Sequence, residues 1–144
     1  MNAPPLTQSV GSAERSMRAI LERHLQFAGL SFSAWTILAF TSAAPLTFEQ
    51  VTQRQIDGHV VSGEDETRQS IQKLTEAGLM AINESKLLTH TDKGSVLFKE
   101  LSEKVKAITQ ALYGDLPISD LEATHRTMLE IARRANHILS SSEP

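Results

Sequence analysis

Arg54, Gln55, Thr67, Arg68, Gln69 and Lys73 gather guanidinium, amide, hydroxyl and ammonium groups into two short stretches of the chain. A guanidinium offers a planar fork of donors that fits a phosphate or the exposed edge of guanine. An amide pairs with adenine, and an ammonium meets phosphate as a point charge. Thr67, Arg68, Gln69 and Lys73 lie within two turns of one expected helix and form its polar side. Arg54 and Gln55 sit on the helix before it, and Lys86 follows in a short hairpin. The chemistry these groups suit is hydrogen bonding to base edges and phosphates, with Arg68 as the strongest candidate.

Other chemistries lack their residues. Cysteine is absent, which removes disulfides, thiolate metal sites and thiol nucleophiles. His24, His59, His90, His125 and His137 show no H-x-x-x-H spacing. His125 and His137 would lie about 18 Å apart along one helix. No glycine-rich phosphate loop and no G-x-S-x-G turn occurs. No catalytic residue, metal or cofactor is expected, and the chain is read as a non-enzyme.

The elements that must position the polar groups follow from periodicity. Thr47 with Gln50 is a capping-box start, Phe48, Val51 and Ile56 mark a buried side, and Gly58 suits the stop. After HVVSG, residues Glu64 to Ala77 carry Thr67, Ile71 and Leu74 at helical steps and close at Gly78. LMAI and KLLTHT then flank Asn83, Glu84 and Ser85 as a hairpin, and Thr91 opens a new helix. Two helices joined by a tight turn and followed by a hairpin form a winged helix-turn-helix, over residues 46–94. Such a module lays its second helix in the DNA major groove.

Outside this unit, residues 1–7 read as a disordered, proline-bearing lead-in. Helices are expected over residues 8–28, 91–112 and 119–139, with Ser119 and Glu122 as a second capping box. A further helix, LSFSAWTILAF, is capped by Ser31 or Ser33 and stopped by Pro45. Leu97, Leu101, Val105, Ile108 and Leu112 form a near-heptad stripe that calls for a neighbouring helix. The outer helices carry more apolar surface than a unit of about fifty residues needs, so a homodimer built from them is expected. The alternative is that they fold back on the same chain. The start, MNAPPLTQSV, has neither basic residues nor an apolar core, and no apolar run approaches the ~18 residues of a membrane span. A cytoplasmic protein without a membrane partner is expected.

The order of these elements resembles the MarR family of bacterial transcription regulators. The resemblance is carried by LSFSAWTILAF, LTFEQVTQRQ, TRQSIQKLTEAGLM and LTHTDKGSVLFKEL, and covers residues 8–140 as a single domain. It implies a mainly α fold with a small β-wing and with N- and C-terminal dimerisation helices. It also implies a dimeric regulator of double-stranded DNA, binding a pseudo-palindromic operator. The most direct reading is a repressor released by a small aromatic or phenolic effector. On that resemblance the effector site would be lined by Met17, His24, Phe32, Trp35 and Phe98; read from the residues alone, these same side chains are core.

Two features set this chain apart from that pattern. Between Thr47 and Gly94 five Lys and Arg face eight Asp and Glu, leaving the winged unit at −3. The expected reading helix opens Glu64, Asp65, Glu66, and the hairpin tip holds a single cation, Lys86. Phosphate contacts dominate non-specific affinity, so weak and strongly salt-sensitive DNA binding is expected, or none. The alternative function is a dimeric winged-helix protein that acts through protein contacts.

Overall fold

The computed structural model describes residues 2–141. Its elements run α1 (Leu6–Phe27), α2 (Phe32–Ala43), β1 (Leu46–Thr47), α3 (Phe48–Asp57), α4 (Glu64–Glu76), β2 (Met80–Ile82), β3 (Leu87–His90), α5 (Asp92–Tyr113) and α6 (Ile118–Ser140). The chain divides after Val105 into two units.

In the first unit α2, α3 and α4 pack on one another, and the strands pair in the antiparallel order β1-β3-β2. The α2 sequence is apolar on nearly every side, as a helix enclosed by neighbours must be, and it buries Ala34, Ile37, Leu38 and Thr41. Around it close Leu25 of α1, Val51 of α3, Leu74 of α4, Leu88 of β3 and Leu101 of α5, all nearly inaccessible to water. Each such side chain contributes roughly 1.5–3 kcal/mol on burial.

Local signals set most boundaries. Ser31 caps α2, its hydroxyl accepting from the Ala34 N–H at 3.1 Å, and the Thr47–Gln50 capping box at α3 is present in both directions. Gly78, with φ of +74°, ends α4 in the left-handed region where a glycine is least strained. The structure corrects two expectations and adds one strand. Leu6 and Thr7 are helical, Pro5 standing at the N-cap, where its missing N–H is not needed. The Ser119–Glu122 capping box is absent, because α6 already begins at Ile118 behind Pro117. The hairpin is joined by a third strand, β1, whose Leu46 and Thr47 pair with Leu88 and Leu87.

The wing is short. Asn83 Oδ1 accepts from the Ser85 and Leu87 N–H groups at 2.9 and 3.0 Å and closes the turn, which puts Lys86 at a φ of +61°. The return from wing to α5 is clasped to the end of α4. Thr91 donates its hydroxyl to Gly78 O at 2.6 Å and its N–H to Leu79 O at 3.2 Å, and Lys93 Nζ donates to Ala77 O at 3.0 Å. Two of the carbonyls left open at the C-terminal end of α4 are thus satisfied by the T-D-K-G stretch. Gly94 sits at the centre, buried, and donates to Thr91 Oγ1 at 3.0 Å.

The second unit holds the end of α5, a turn at Gly114–Pro117 and α6. No described residue of α6 is buried, and Ile118, Leu129, Ile138 and Leu139 are exposed apolar side chains. Glu130 accepts from Arg133 and Arg134 on its own helix, at 2.7 to 3.0 Å. The Arg133 hydrogen bonds, reinforced by Arg134, hold its carboxyl at about 2, well below the usual carboxylate value.

One core position is imperfect. Among the described residues, Thr52 Oγ1 on α3 is the buried side-chain oxygen that lacks a hydrogen-bond partner. Thr52→Val keeps the shape and removes the stranded hydroxyl, so it is expected to stabilise the fold by about 1 kcal/mol. A higher urea midpoint at unchanged slope would show this, and a lower midpoint would refute it.

Candidate nucleic-acid interface

The N-terminus of α4 explains the acidic opening. Its N-cap is Gly63, which offers no side-chain cap, and Glu64, Asp65 and Glu66 supply the negative charge that a helix start favours. Ser62 Oγ donates to Glu66 Oε1 at 3.1 Å and ties the preceding turn to it.

Arg68 projects outward from the next turn. Its guanidinium lies 4.7 Å from the centroid of the Phe48 ring and donates to Glu64 Oε1 at 3.2 Å. Ring and carboxylate together orient it while its side chain stays 60% exposed. Gln69 and Lys73 are exposed on the same helix. Arg54 is exposed on α3 with its guanidinium 5.9 Å from the Phe40 ring, and Lys86 is exposed at the wing turn. Beneath Arg68 a groove of ≈450 Å³ is lined by Phe48, Ile71, Gln72, Thr75, Ile82 and Leu88.

Two residues expected on this face are not on it. Gln55 and Thr67 are wholly buried, and Thr67 donates its hydroxyl to Gln55 Oε1 at 2.6 Å. Neither can reach a base or a phosphate. Gln55 follows the buried Val51 by four residues, and Thr67 precedes the buried Ile71 by four, so helical geometry turns both inward.

No protein-family model and no characterised protein sequence matches the chain, but solved structures do. The MarR family protein Rv2887 of Mycobacterium tuberculosis, solved in complex with DNA, superposes with a TM-score of 0.69 at 19% identity over 90% of this chain and 98% of its own. NadR in complex with 4-hydroxyphenylacetate gives 0.73 at 16% identity, covering 92% of this chain and 98% of its own. CouR from Rhodococcus jostii RHA1 bound to p-coumaroyl-CoA gives 0.74 at 15%, covering 89% and 92%. The chain has the winged-helix fold of the MarR family regulators.

Within this MarR-like fold the side chains expected to line an effector site fall into three groups. Trp35 of α2 and Phe98 of α5 are stacked, centroids 5.3 Å apart. His90 of β3 meets Phe98 edge-on at 5.6 Å, and its Nε2 lies 2.9 Å from Leu38 O and 3.1 Å from Thr41 Oγ1. Phe32 is covered by Arg18, whose guanidinium lies 4.1 Å from the ring centroid. Met17 is exposed and His24 half-buried on α1. Sequence reasoning missed His90 and Arg18. The T-H-T of the return strand and the Arg18 position, one turn before Leu21 and Glu22, gave no signal that an aromatic ring lay opposite.

Proposed function

We propose that the chain is a dimeric, ligand-responsive DNA-binding transcription regulator, and in its simplest form a repressor. The observation that carries this reading is the outward face of α4: Arg68, oriented by Phe48 and Glu64, stands with Gln69 and Lys73 on the helix that a winged unit presents to the major groove. Arg54 would meet the phosphate backbone, and Lys86 the flank of the duplex. Two copies would join through the exposed apolar faces of α6 and the helices at the other end of the chain. That pairing would hold two reading helices about one turn of DNA apart, ~34 Å. The cocrystal of Rv2887 with DNA, and those of NadR and CouR with a phenolic acid and an aromatic thioester, support both halves of the reading by likeness of fold. The effector would sit at the Trp35–Phe98 stack with Phe32, Met17 and His24 around it. It would act by unequal affinity for two spacings of the winged units, of which ~1.4 kcal/mol is worth tenfold.

The test is a mobility shift with the DNA that flanks the chain's own gene, at low and moderate salt. Arg68→Ala is expected to weaken the shifted band about tenfold, the loss of one good base contact. An unchanged band would discredit this face. The excess of carboxylates on the winged unit favours a second reading, in which the same face meets a basic protein instead. Absence of any shifted band at low salt would select that reading.

A further inference from the structure

Buried between α2, α3 and α4 is a polar cluster that the reading of DNA by surface residues leaves without a role. The Gln55 amide nitrogen lies 3.0 Å from Ser33 O, 3.0 Å from Ser33 Oγ and 2.8 Å from Thr36 Oγ1. Its oxygen accepts from Thr67 Oγ1, and Ser70 Oγ donates to Ser33 Oγ at 2.9 Å. One side chain of α3 therefore ties two residues of α2 to α4, and a second bond from α4 returns to α2. Both Gln55 and Thr67 are inaccessible to water, so each bond of the pair is made in a medium where its loss is not repaired by solvent.

We infer that Gln55 is the positioning residue of the reading helix: acting through Thr67, it fixes the rotation of α4 about its own axis and so sets where Arg68 and Gln69 point. Thr67 and Arg68 are consecutive, so the inward bond of one and the outward reach of the other are locked to the same helical phase. A rotation of about 20° would carry a side-chain tip ~6 Å from the axis through about 2 Å, more than a hydrogen bond to a base edge tolerates. Apolar contacts such as those of Ile71 and Leu74 resist separation of the helices but are non-directional. The hydrogen bond from the Thr67 hydroxyl to the Gln55 amide oxygen, by contrast, is directional. The same stretch of α2 that supplies Ser33 and Thr36 also carries Trp35, stacked on Phe98, so α4 is held in phase with the helix that bears the aromatic cluster.

This inference rests on the DNA-binding reading for its functional consequence but not for its structural one, and the experiment separates them. In the full-length protein, Gln55→Met, Thr67→Val and Thr67→Ser are compared with wild type by backbone amide chemical shifts without DNA. Affinity for the chain's own flanking DNA is then measured against unrelated DNA. Thr67→Val and Gln55→Met are expected to shift the amides of α4, and to lower the ratio of specific to unrelated affinity about tenfold while leaving affinity for unrelated DNA unchanged. Thr67→Ser, which keeps the hydroxyl, is expected to restore both. If Gln55→Met does not fold, the Thr67→Val and Thr67→Ser pair decides the matter alone. Unmoved α4 amides in Thr67→Val, or a fall in both affinities that merely follows a lower urea midpoint, would overturn the inference. If wild type binds no DNA at low salt, the DNA-binding reading fails, and the amide shifts still decide whether Gln55 positions α4.

Discussion

Gly94→Ala is expected to destabilise the protein by about 3 kcal/mol, the upper range for forcing an extra methyl into a packed site. A Cβ on Gly94 would fall inside the van der Waals shell of the Leu79 carbonyl oxygen and against the Leu79 backbone carbon. Backbone cannot rotate away as a side chain can. The obstacle also lies where β2 leaves α4, so relief would require α5 to move off the end of α4. That movement would open the Thr91 bonds to Gly78 and Leu79 and the Lys93 bond to Ala77. Urea denaturation followed by circular dichroism measures the effect. A midpoint within error of wild type would mean that the α4–β2 junction is far more yielding than its packing implies.

Neutralising the first turn of α4, with Glu64→Gln, Asp65→Asn and Glu66→Gln together, is expected to strengthen non-specific DNA binding about thirtyfold at low salt. Each carboxylate about 6 Å from a phosphate costs ~0.7 kcal/mol in a medium of water's permittivity, and three give about 2 kcal/mol. The change also frees Arg68 from Glu64. The gain should shrink as salt rises from ~50 to 200 mM, since the repulsion is screened. Stability should move the other way, because Gly63 provides no cap and each carboxylate at the helix start is worth roughly 0.3–1 kcal/mol. Titrating unrelated duplex DNA against wild type and triple variant at two salt concentrations checks the first claim, and thermal melts the second. Equal affinity for both proteins would show that the acids do not face the nucleic acid.

Much of this fold is written in local chemistry. The Thr47–Gln50 box, the Gly78 stop and Thr91 at the head of α5 act within three or four residues, so they can be read without knowing what lies across the core. What could not be read that way depends on distant partners. β1 is two residues long and exists because Leu87 and Leu88 pair with it. Ser119 and Glu122 spell a capping box and so predict a later start for α6 than the one observed. Pro117 is the N-cap instead, two residues before Ser119, so the helix is already under way where that box would start it. Gln55 and Thr67 differ from expectation for another reason: polarity suggests exposure, but their spacing from Val51 and Ile71 places both on the inner faces. Arg54, Arg68, Gln69, Lys73 and Lys86 stand on the surface as expected, but the rings beneath Arg54 and Arg68 were invisible, since Phe40 and Phe48 are remote or belong to another helix.

Lys86 holds the wing tip in a left-handed conformation that lysine adopts at about 1 kcal/mol above what glycine, which has no Cβ, would need. The tip is therefore a place where conformational comfort and electric charge compete for one residue. Selection for heat resistance and selection for grip on a polyanion would push that position in opposite directions.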